Sequence, residues 1–409
     1  MARLSTTRAV RRGSVQSTNP SVVHLTSVHS PFDHRVFYKE CRSLARAGYK
    51  VALVAPDELS ERTCDGVRIL GVPRRRSRWG RPRIWLDLVR QAMRLKPTLI
   101  HFHDPELLVV MPFLRLALGP SLRIVYDVHE YFVDSIPQKT WIPQPIRRPV
   151  AWLARAMEQK LGRAVDGLIC VVEEQAPLYR GWQARQTVVH NYPEVSAFAN
   201  PTSLAEFPPD RFRLIYIGSL YARRGIMTML EALLQVIPEA PDTLLILGGA
   251  FDSLDFRQQI EAFIGSRGLR DHVALIGWID HARLKDYLAS ADVAWLPGLV
   301  GRQYLRRSVS TKQLECMLVG LPLVNSDHPH LRFFTDQAHC GFSVAADDPS
   351  AHAAAIRWLY HHPQERREMG DRGRRLVLEQ YTWETEASKL VAFYDQLLKQ
   401  GRPGRSNKT

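Results

Sequence analysis

Cysteine is scarce in this 409-residue chain: Cys41, Cys64, Cys170, Cys316 and Cys340 are an odd number with no C-x-x-C pair. That excludes a disulfide framework and a structural zinc knuckle, and it fits a reducing, cytosolic compartment. Long apolar runs are missing too. The longest, Leu107 to Leu114, stops at Arg115, far short of the roughly 20 residues that span a bilayer. Residues 1–20 contain Arg3, Arg8, Arg11 and Arg12 but no acidic residue and no apolar core, so no secretory signal is expected there. Both ends, 1–20 and 401–409, read as disordered tails.

Acidic residues are thin in the first half. Residues 1–200 carry 30 Lys and Arg against 17 Asp and Glu, while the remainder carries 25 against 24. Most of the excess lies in two stretches, 74–85 and 141–163, where arginines are interleaved with Trp79, Trp85, Trp141 and Trp152. This composition suits the headgroup level of an anionic membrane or a phosphate-bearing acceptor. A nucleic-acid role would rest on charge alone, and none is expected.

What is present is an alternation of short β-branched runs with helix-period stretches, the pattern of parallel sheets with crossover helices. Strands are expected at 22–27, 49–55, 66–70, 98–103, 122–128 and 167–172, with helices at 34–47, 82–95, 105–117 and 146–163. After a proline-rich joint at 200–210 the pattern restarts. Strands are expected at 211–218, 242–249, 272–277, 292–297 and 321–326, and helices near 225–236, 254–266, 281–290 and 311–319. Three helices, 349–361, 363–380 and 383–399, follow with no strong strand between them. The fold class is α/β, two Rossmann-like domains in tandem, with ligands expected beyond strand C-termini in a cleft between facing sheets.

Chemistry-bearing residues gather at those strand ends. GSLYARRG (218–225) follows a strand and opens a helix, so Gly218, Ser219 and Gly225 let backbone approach an anion, with Arg223 and Arg224 beside the helix start. In STKQLECMLVGLPLVNSD, Glu315 lies one turn past Thr311 and Lys312, where a carboxylate can accept both hydroxyls of a ribose. In the first half, HFHDPELL places His101 and His103 on one strand face, then Asp104 and Glu106; DVHEY supplies Asp127, His129 and Glu130. Asp33, His34 and Arg35 follow the first strand, and His190 and Asn191 a later one. These form either a substrate-binding rim or, through His-x-His and nearby carboxylates, a metal-dependent hydrolase site.

Taken together, FDHRVFYKECRSLARAGYKVALVAP, HFHDPELL, YDVHEY, GSLYARRG, GWIDHARLKDYLASADVAWLP and STKQLECMLVGLPLVNSD resemble the bacterial retaining GT-B glycosyltransferases (family 4, group 1), in particular their surface-polysaccharide branch. The chain has no Asp-x-Asp, the metal signature of the other main glycosyltransferase fold. The resemblance implies a metal-independent hexosyltransferase without a resident cofactor. Its donor would be a UDP- or GDP-linked sugar and its acceptor a lipid-linked or polysaccharide-precursor glycan, at the inner face of the plasma membrane. It implies an acceptor domain over 21–200, a nucleotide-sugar domain over 201–382, and a helix over 383–400 that crosses back. By the same resemblance Glu315 binds the ribose, Arg224 with Arg223 neutralises the diphosphate, and His129 bonds the transferred sugar. His103, Asp104 and Glu106 lie on the acceptor side, as the strand-end reading has for Asp33, Arg35, Asp127 and Glu130. Two departures stand out: Arg307 occupies the place of the first Glu of E-x7-E, and Ser219 that of an Arg in the phosphate loop. Arg306 or Arg307 would then supply phosphate charge. A catalytically inactive partner subunit is the alternative these departures open.

Overall fold

The computed structural model describes residues 21–74, 80–129, 131–139, 142–298 and 309–399. Both expected tails, Trp79, Trp141, Glu130, Arg306 and Arg307 lie outside the described residues. The first sheet contains β1 (Ser21–Leu25), β2 (Lys50–Pro56), β3 (Glu61–Cys64), β4 (Val67–Val72), β5 (Leu99–Phe102), β6 (Arg123–Val128), β7 (Gly167–Cys170) and β8 (Arg185–Val188), in the order β3-β4-β2-β1-β5-β6-β7-β8. The second has β9 (Phe212–Ile217), β10 (Thr243–Gly248), β11 (Val273–Gly277), β12 (Val293–Leu296), β13 (Leu323–Ser326) and β14 (Gly341–Val344), in the order β11-β10-β9-β12-β13-β14. β3 is antiparallel to β4; the second sheet is parallel throughout.

The helices of the first half are α1 (Arg42–Arg46), α2 (Arg81–Leu95), α3 (Met111–Leu118), α4 (Phe132–Ser135) and α5 (Arg147–Leu161). Those of the second are α6 (Ile226–Val236), α7 (Leu254–Ser266), α8 (His281–Ala289), α9 (Thr311–Leu318), α10 (Pro329–Ala338), α11 (Pro349–His361), α12 (Pro363–Gln380) and α13 (Trp383–Lys399). The chain divides into two compact units. One reaches to Tyr126 and includes Ala164–Asp166; the other comprises Asp127–Arg163 and everything from Gly167 on.

Strand periodicity sorts the second sheet's core into two layers, because alternate side chains leave a strand on opposite faces. Leu214 and Tyr216 of β9, Leu245 and Leu247 of β10 and Trp295 of β12 pack with α6, α7 and α11 residues such as Leu230, Ile260 and Ile356. Ile215, Ile246 and Ala294 face the other way, onto Leu288, Leu314, Phe334 and Val377. A sheet covered on both faces is what continuous apolar runs require.

The sequence pattern missed β3, β8, β14, α4 and α10. ERTC and RQTV are polar four-residue strands, and β3 and β8 are the two edges of their sheet, where polar residues discourage pairing with other chains. GFSV is equally short and half-buried, too brief to set a period. The single helix expected over 105–117 is broken into a 3-10 turn, Pro105–Val109, and α3, because Pro112 cannot donate a backbone hydrogen bond and instead starts a new helix. Likewise 34–47 opens as a π-helical turn, His34–Cys41, before α1.

Two buried polar anchors hold the first sheet's surroundings. In the first unit Asp166 accepts the backbone N–H of Ile124 at 2.8 Å and pairs with Arg115, which also donates to the carbonyls of Leu122 and Ala164. In the second unit α13 lies on β7: a Cβ at Gly167 would meet Leu397 at 2.6 Å and Phe393 at 3.0 Å. Glu386 of α13 accepts the backbone N–H of His190 at 2.9 Å, and the His190 ring sits between Glu386 (3.5 Å) and Glu173 (3.1 Å).

Both anchors are testable. Asp166→Ala strands the Arg115 guanidinium, whose side chain is 13% exposed, so the chain should lose about 3 kcal/mol in urea melts; a loss below about 1 kcal/mol would contradict the anchor. Burial opposes charging of His190, but hydrogen bonds and charges from Glu386 and Glu173 outweigh it and hold its pKa above the ordinary 6.5. Its contribution is therefore complete below about pH 6.5 and is lost as pH rises through the folded value. Burial also opposes the charge on Glu386 and Glu173, yet hydrogen bonds from His190 and Lys389 to the first, and from its own amide and His190 to the second, hold both low. Their contribution is present above about pH 4.5 and is lost as pH falls through the folded values. The Tm difference between wild type and His190→Gln should peak at about pH 5–6.5 and shrink toward about pH 9. A difference independent of pH would count against the clamp.

Candidate functional site

The turn after β9 shapes the second unit's candidate site. Gly218 has φ 153° and Gly249, after β10, has φ 139°. A Cβ on Gly218 would overlap Nζ of Lys312, and one on Gly249 would overlap the Gly218 carbonyl. Gly225 holds the left-handed conformation before α6, φ 72°, where a Cβ would overlap the Pro297 carbonyl. Glycine is required at all three positions by close approach. Ser219 and Arg223 are exposed, and Arg224 is half-buried with its guanidinium 5.1 Å from the Tyr221 ring.

Lys312, in the first turn of α9, places its ammonium 5.5 Å from the Tyr216 ring centre. Burial and the neighbouring Arg224 charge push its pKa down to about 8, against the opposing pull of Glu315. Arg224, Lys312 and Glu315 are thus electrostatic neighbours, and Glu315 is 6% exposed. Thr311 points elsewhere, donating to the Asn191 carbonyl at 3.0 Å. Sequence reasoning missed Tyr216 and Tyr221, whose rings flank the two cations. It also missed His328 and Ser326, whose side chains hold the Gly298 carbonyl at 2.7 and 2.9 Å. Such a cluster, two cations against a side-chain-free turn with a carboxylate beyond them, suits a diphosphate joined to a diol.

Also in the second unit, His129 stands on the end of β6, its Nε2 2.7 Å from Asp127 Oδ2. Asp127 is fully buried and the His129 side chain 17% exposed, so the carboxylate fixes the ring and leaves part of it accessible. Glu130, expected beside it, lies outside the described residues.

In the first unit Asp104, at the end of β5, fastens the loop after β1. Its Oδ2 accepts from Thr26 Oγ1 (2.8 Å), Ser27 N (2.6 Å) and Ser27 Oγ (3.2 Å). Glu106 accepts from Ser27 Oγ at 2.7 Å, from Trp85 Nε1 at 3.2 Å and from Arg81, tying the same loop to basic α2. Asp33 caps the π-helical turn through Arg35 N and Val36 N. Burial would raise its pKa, but His29 and those amides hold it far below the usual carboxylate range. His29, between Asp33 and Asp104, carried no sequence signal beyond its residue type.

Arg35 and His103 are buried rather than exposed. Arg35 is 5% exposed and pairs with the fully buried Glu40 at 2.9 Å. His103 Nε2 is 2.9 Å from His24 Nδ1, and the rings of His24, His101 and His103 pack 4.5–5.2 Å apart beside Glu40. The His-x-His pair is therefore part of a hydrogen-bonded cluster inside the unit, built as much by His24 and Glu40 as by the motif.

Comparison with known proteins identifies the architecture. Residues 211–362 match the model for "Glycosyl transferases group 1", and residues 34–192 the model for a "Glycosyl transferase 4-like domain". The chain is 26% identical over 326 residues to glycogen synthase of Mycobacterium tuberculosis, covering 75% of this chain and 73% of that one. It is 26% identical over 309 residues to phosphatidyl-myo-inositol mannosyltransferase of Mycobacterium leprae, covering 74% of each. Among solved structures, sucrose-phosphate synthase from Thermosynechococcus elongatus has a TM-score of 0.72 at 19% identity, over 93% of this chain and 100% of that one. Anabaena HepE, in complex with UDP and glucose, has 0.69 at 13% identity, over 92% and 100%. The two parallel sheets are those of the GT-B fold, and the metal-hydrolase class that His-x-His alone allowed is set aside. With both of its α/β halves matched to glycosyltransferase models, the chain belongs to the group 1 glycosyl transferases and is a glycosyltransferase of the GT-B fold.

Proposed function

We propose that this glycosyltransferase moves a hexose, with retention and without a metal, from a UDP- or GDP-linked sugar to a lipid-linked or polysaccharide-precursor glycan at an anionic membrane surface. The observation that carries the donor side is the grouping of Arg224, Lys312 and Glu315 around Gly218. In this reading Glu315 accepts the ribose hydroxyls. Arg224 and Lys312, with Arg223, Ser219 and the amides after Gly218, take the diphosphate. Thr311 holds α9 in place through Asn191. Preorganised positive charge where the leaving diphosphate gains negative charge is the largest contribution such a site can make. His129, held by Asp127, orients the transferred sugar, and the departing phosphate oxygen takes the acceptor proton on the face it leaves.

The acceptor side of the proposal draws on charge and exposed apolar surface. On and beside α5, Ile146, Trp152, Leu153 and Met157 are 48, 73, 54 and 45% exposed, and Leu153 and Met157 are one helical turn apart. Arg147, Arg148, Arg155 and Lys160 share the helix, a basic amphipathic surface of the kind that lies on headgroups. No helix among the described residues is long and apolar enough to cross a membrane. The mannosyltransferase relative is named for a phosphatidyl-myo-inositol acceptor, which accords with a lipid-borne substrate here.

Two measurements check this reading. Calorimetry against UDP, GDP, ADP and their common sugars should show one nucleotide selected, and Glu315→Ala should weaken it at least about 10-fold, because a charged hydrogen bond is worth about 1.5–3 kcal/mol. Binding of no nucleotide, or unchanged affinity in the variant, would contradict the donor site. On flotation, the protein should rise with anionic liposomes at low salt and be released at about 0.5 M salt, where the Debye length falls to a few ångströms. Trp152→Ser with Leu153→Ser should weaken that binding. Absence of binding at low salt would contradict the membrane proposal.

A further inference from the structure

The turn after β9 is backed by the ends of β12 and β13. A Cβ on Gly225, the residue after Arg224, would overlap the Pro297 carbonyl, so the end of β12 lies directly against the turn that presents Arg224. Pro297 is followed by Gly298, where a Cβ would meet no described residue within 4 Å beyond its chain neighbours. Packing does not fix this glycine; hydrogen bonds do. Its N–H donates to the Leu296 carbonyl at 3.0 Å, which orients the peptide that carries the Pro297 carbonyl. Its own carbonyl accepts from Ser326 Oγ at 2.9 Å and from His328 Nε2 at 2.7 Å. A carbonyl is acceptor-only, so both contacts are donations to it, and together they use its two lone pairs.

Asn325, next to Ser326 on β13, reaches the helix that carries Lys312 and Glu315. Consecutive strand residues leave on opposite faces: Val324 packs on the α6 side and Leu323 on the α9 side, and Asn325 shares the face of Leu323. Its Oδ1 accepts from Thr335 Oγ1 of α10 at 2.7 Å, and Thr335 Oγ1 accepts from Gln313 Nε2 of α9 at 2.9 Å. Gln313, Asn325, Ser326, His328 and Thr335 are all buried, where water cannot replace a lost partner and the geometry is held. Resting on the transferase reading above, we propose that His328 is a positioning residue of the donor site. With Ser326 it holds the end of β12 against the Arg224 turn, while Asn325 holds α9 through a separate arm. The two arms set the separation of Arg224 from Glu315, the span from a ribose to a second phosphate, so that the site takes a nucleoside diphosphate in preference to a monophosphate.

The test is calorimetry on the full chain with the diphosphate and the monophosphate of the base it selects: UDP and UMP, GDP and GMP, or ADP and AMP. His328→Leu should weaken the diphosphate at least about 10-fold, the scale of one lost charged hydrogen bond, while the monophosphate stays within about twofold. His328→Gln, whose amide donates to the same carbonyl, should recover most of that loss. Thr335→Val cuts the α9 arm and should weaken both nucleotides. Diphosphate affinity within about threefold of wild type in His328→Leu would overturn the proposal. So would equal losses for diphosphate and monophosphate, which mark a merely structural role, or no recovery in His328→Gln. Should His328→Leu not fold, Ser326→Ala decides: it removes the second donor with little change in volume, and an unchanged ratio of diphosphate to monophosphate affinity overturns the proposal. Wild-type protein that binds neither nucleotide would instead defeat the donor site itself.

Discussion

The second unit is organised by how closely backbone and a buried cation approach at residue 218. Nζ of Lys312 occupies the space a side chain at that position would fill, and the Gly218 carbonyl occupies the space of one at 249. An ammonium held there is drawn from water, and beside Arg224 its pKa falls to about 8. Glu315 opposes the fall, and an incoming anion would do so more strongly, because opposite charge favours the ionised form. A cation that burial and its neighbour both make costly to charge is poised for an anionic guest. The apolar layers on either side of the second sheet hold the turn and α9 in the register this requires.

The first unit uses carboxylates for a different purpose. Asp104, Glu106 and Asp33 are spent mainly on fixing the loop after β1, through Thr26, Ser27, His29 and the amides of Arg35 and Val36. Preorganisation of this kind costs conformational entropy at folding rather than at binding. Glu106 also couples the loop to Arg81 and Trp85 of α2, so the basic segment that gives the first half its charge is joined to the loop carrying His29. Deeper in the unit the His24, His101, His103 and Glu40 cluster is closed to solvent and gives the ends of β1 and β5 polar cross-links in an otherwise apolar sheet.

The long buried strands were legible in the sequence because both faces of their sheets are covered, so FRLIYI and TLLILG are apolar but for Arg213 and Thr243. ERTC, RQTV and GFSV were not, since four half-exposed residues carry no period. The grouping of Glu315, Lys312 and Arg224 was legible because each lies at a fixed offset from a glycine-marked turn. His129 could be found because it ends a strand. The burial of Arg35 and His103 was not legible for the same reason that His24 and His29 were overlooked. Residue type and strand end locate a side chain along the chain, whereas its depth depends on partners distant in sequence, 79 residues away in the His24 to His103 bond.

The account depends most directly on Lys312 serving an anion. The measurement that addresses it is the affinity of the selected nucleoside diphosphate across pH 6–9.5, by calorimetry, for wild type and Lys312→Met. Lys312 is charged below its pKa of about 8, and the bound diphosphate will hold it charged to higher pH. Wild-type affinity should therefore fall as pH rises past about 8, while the variant should bind weakly and with a flat profile over the same range. Equal affinities and parallel profiles for the two proteins would contradict the central claim.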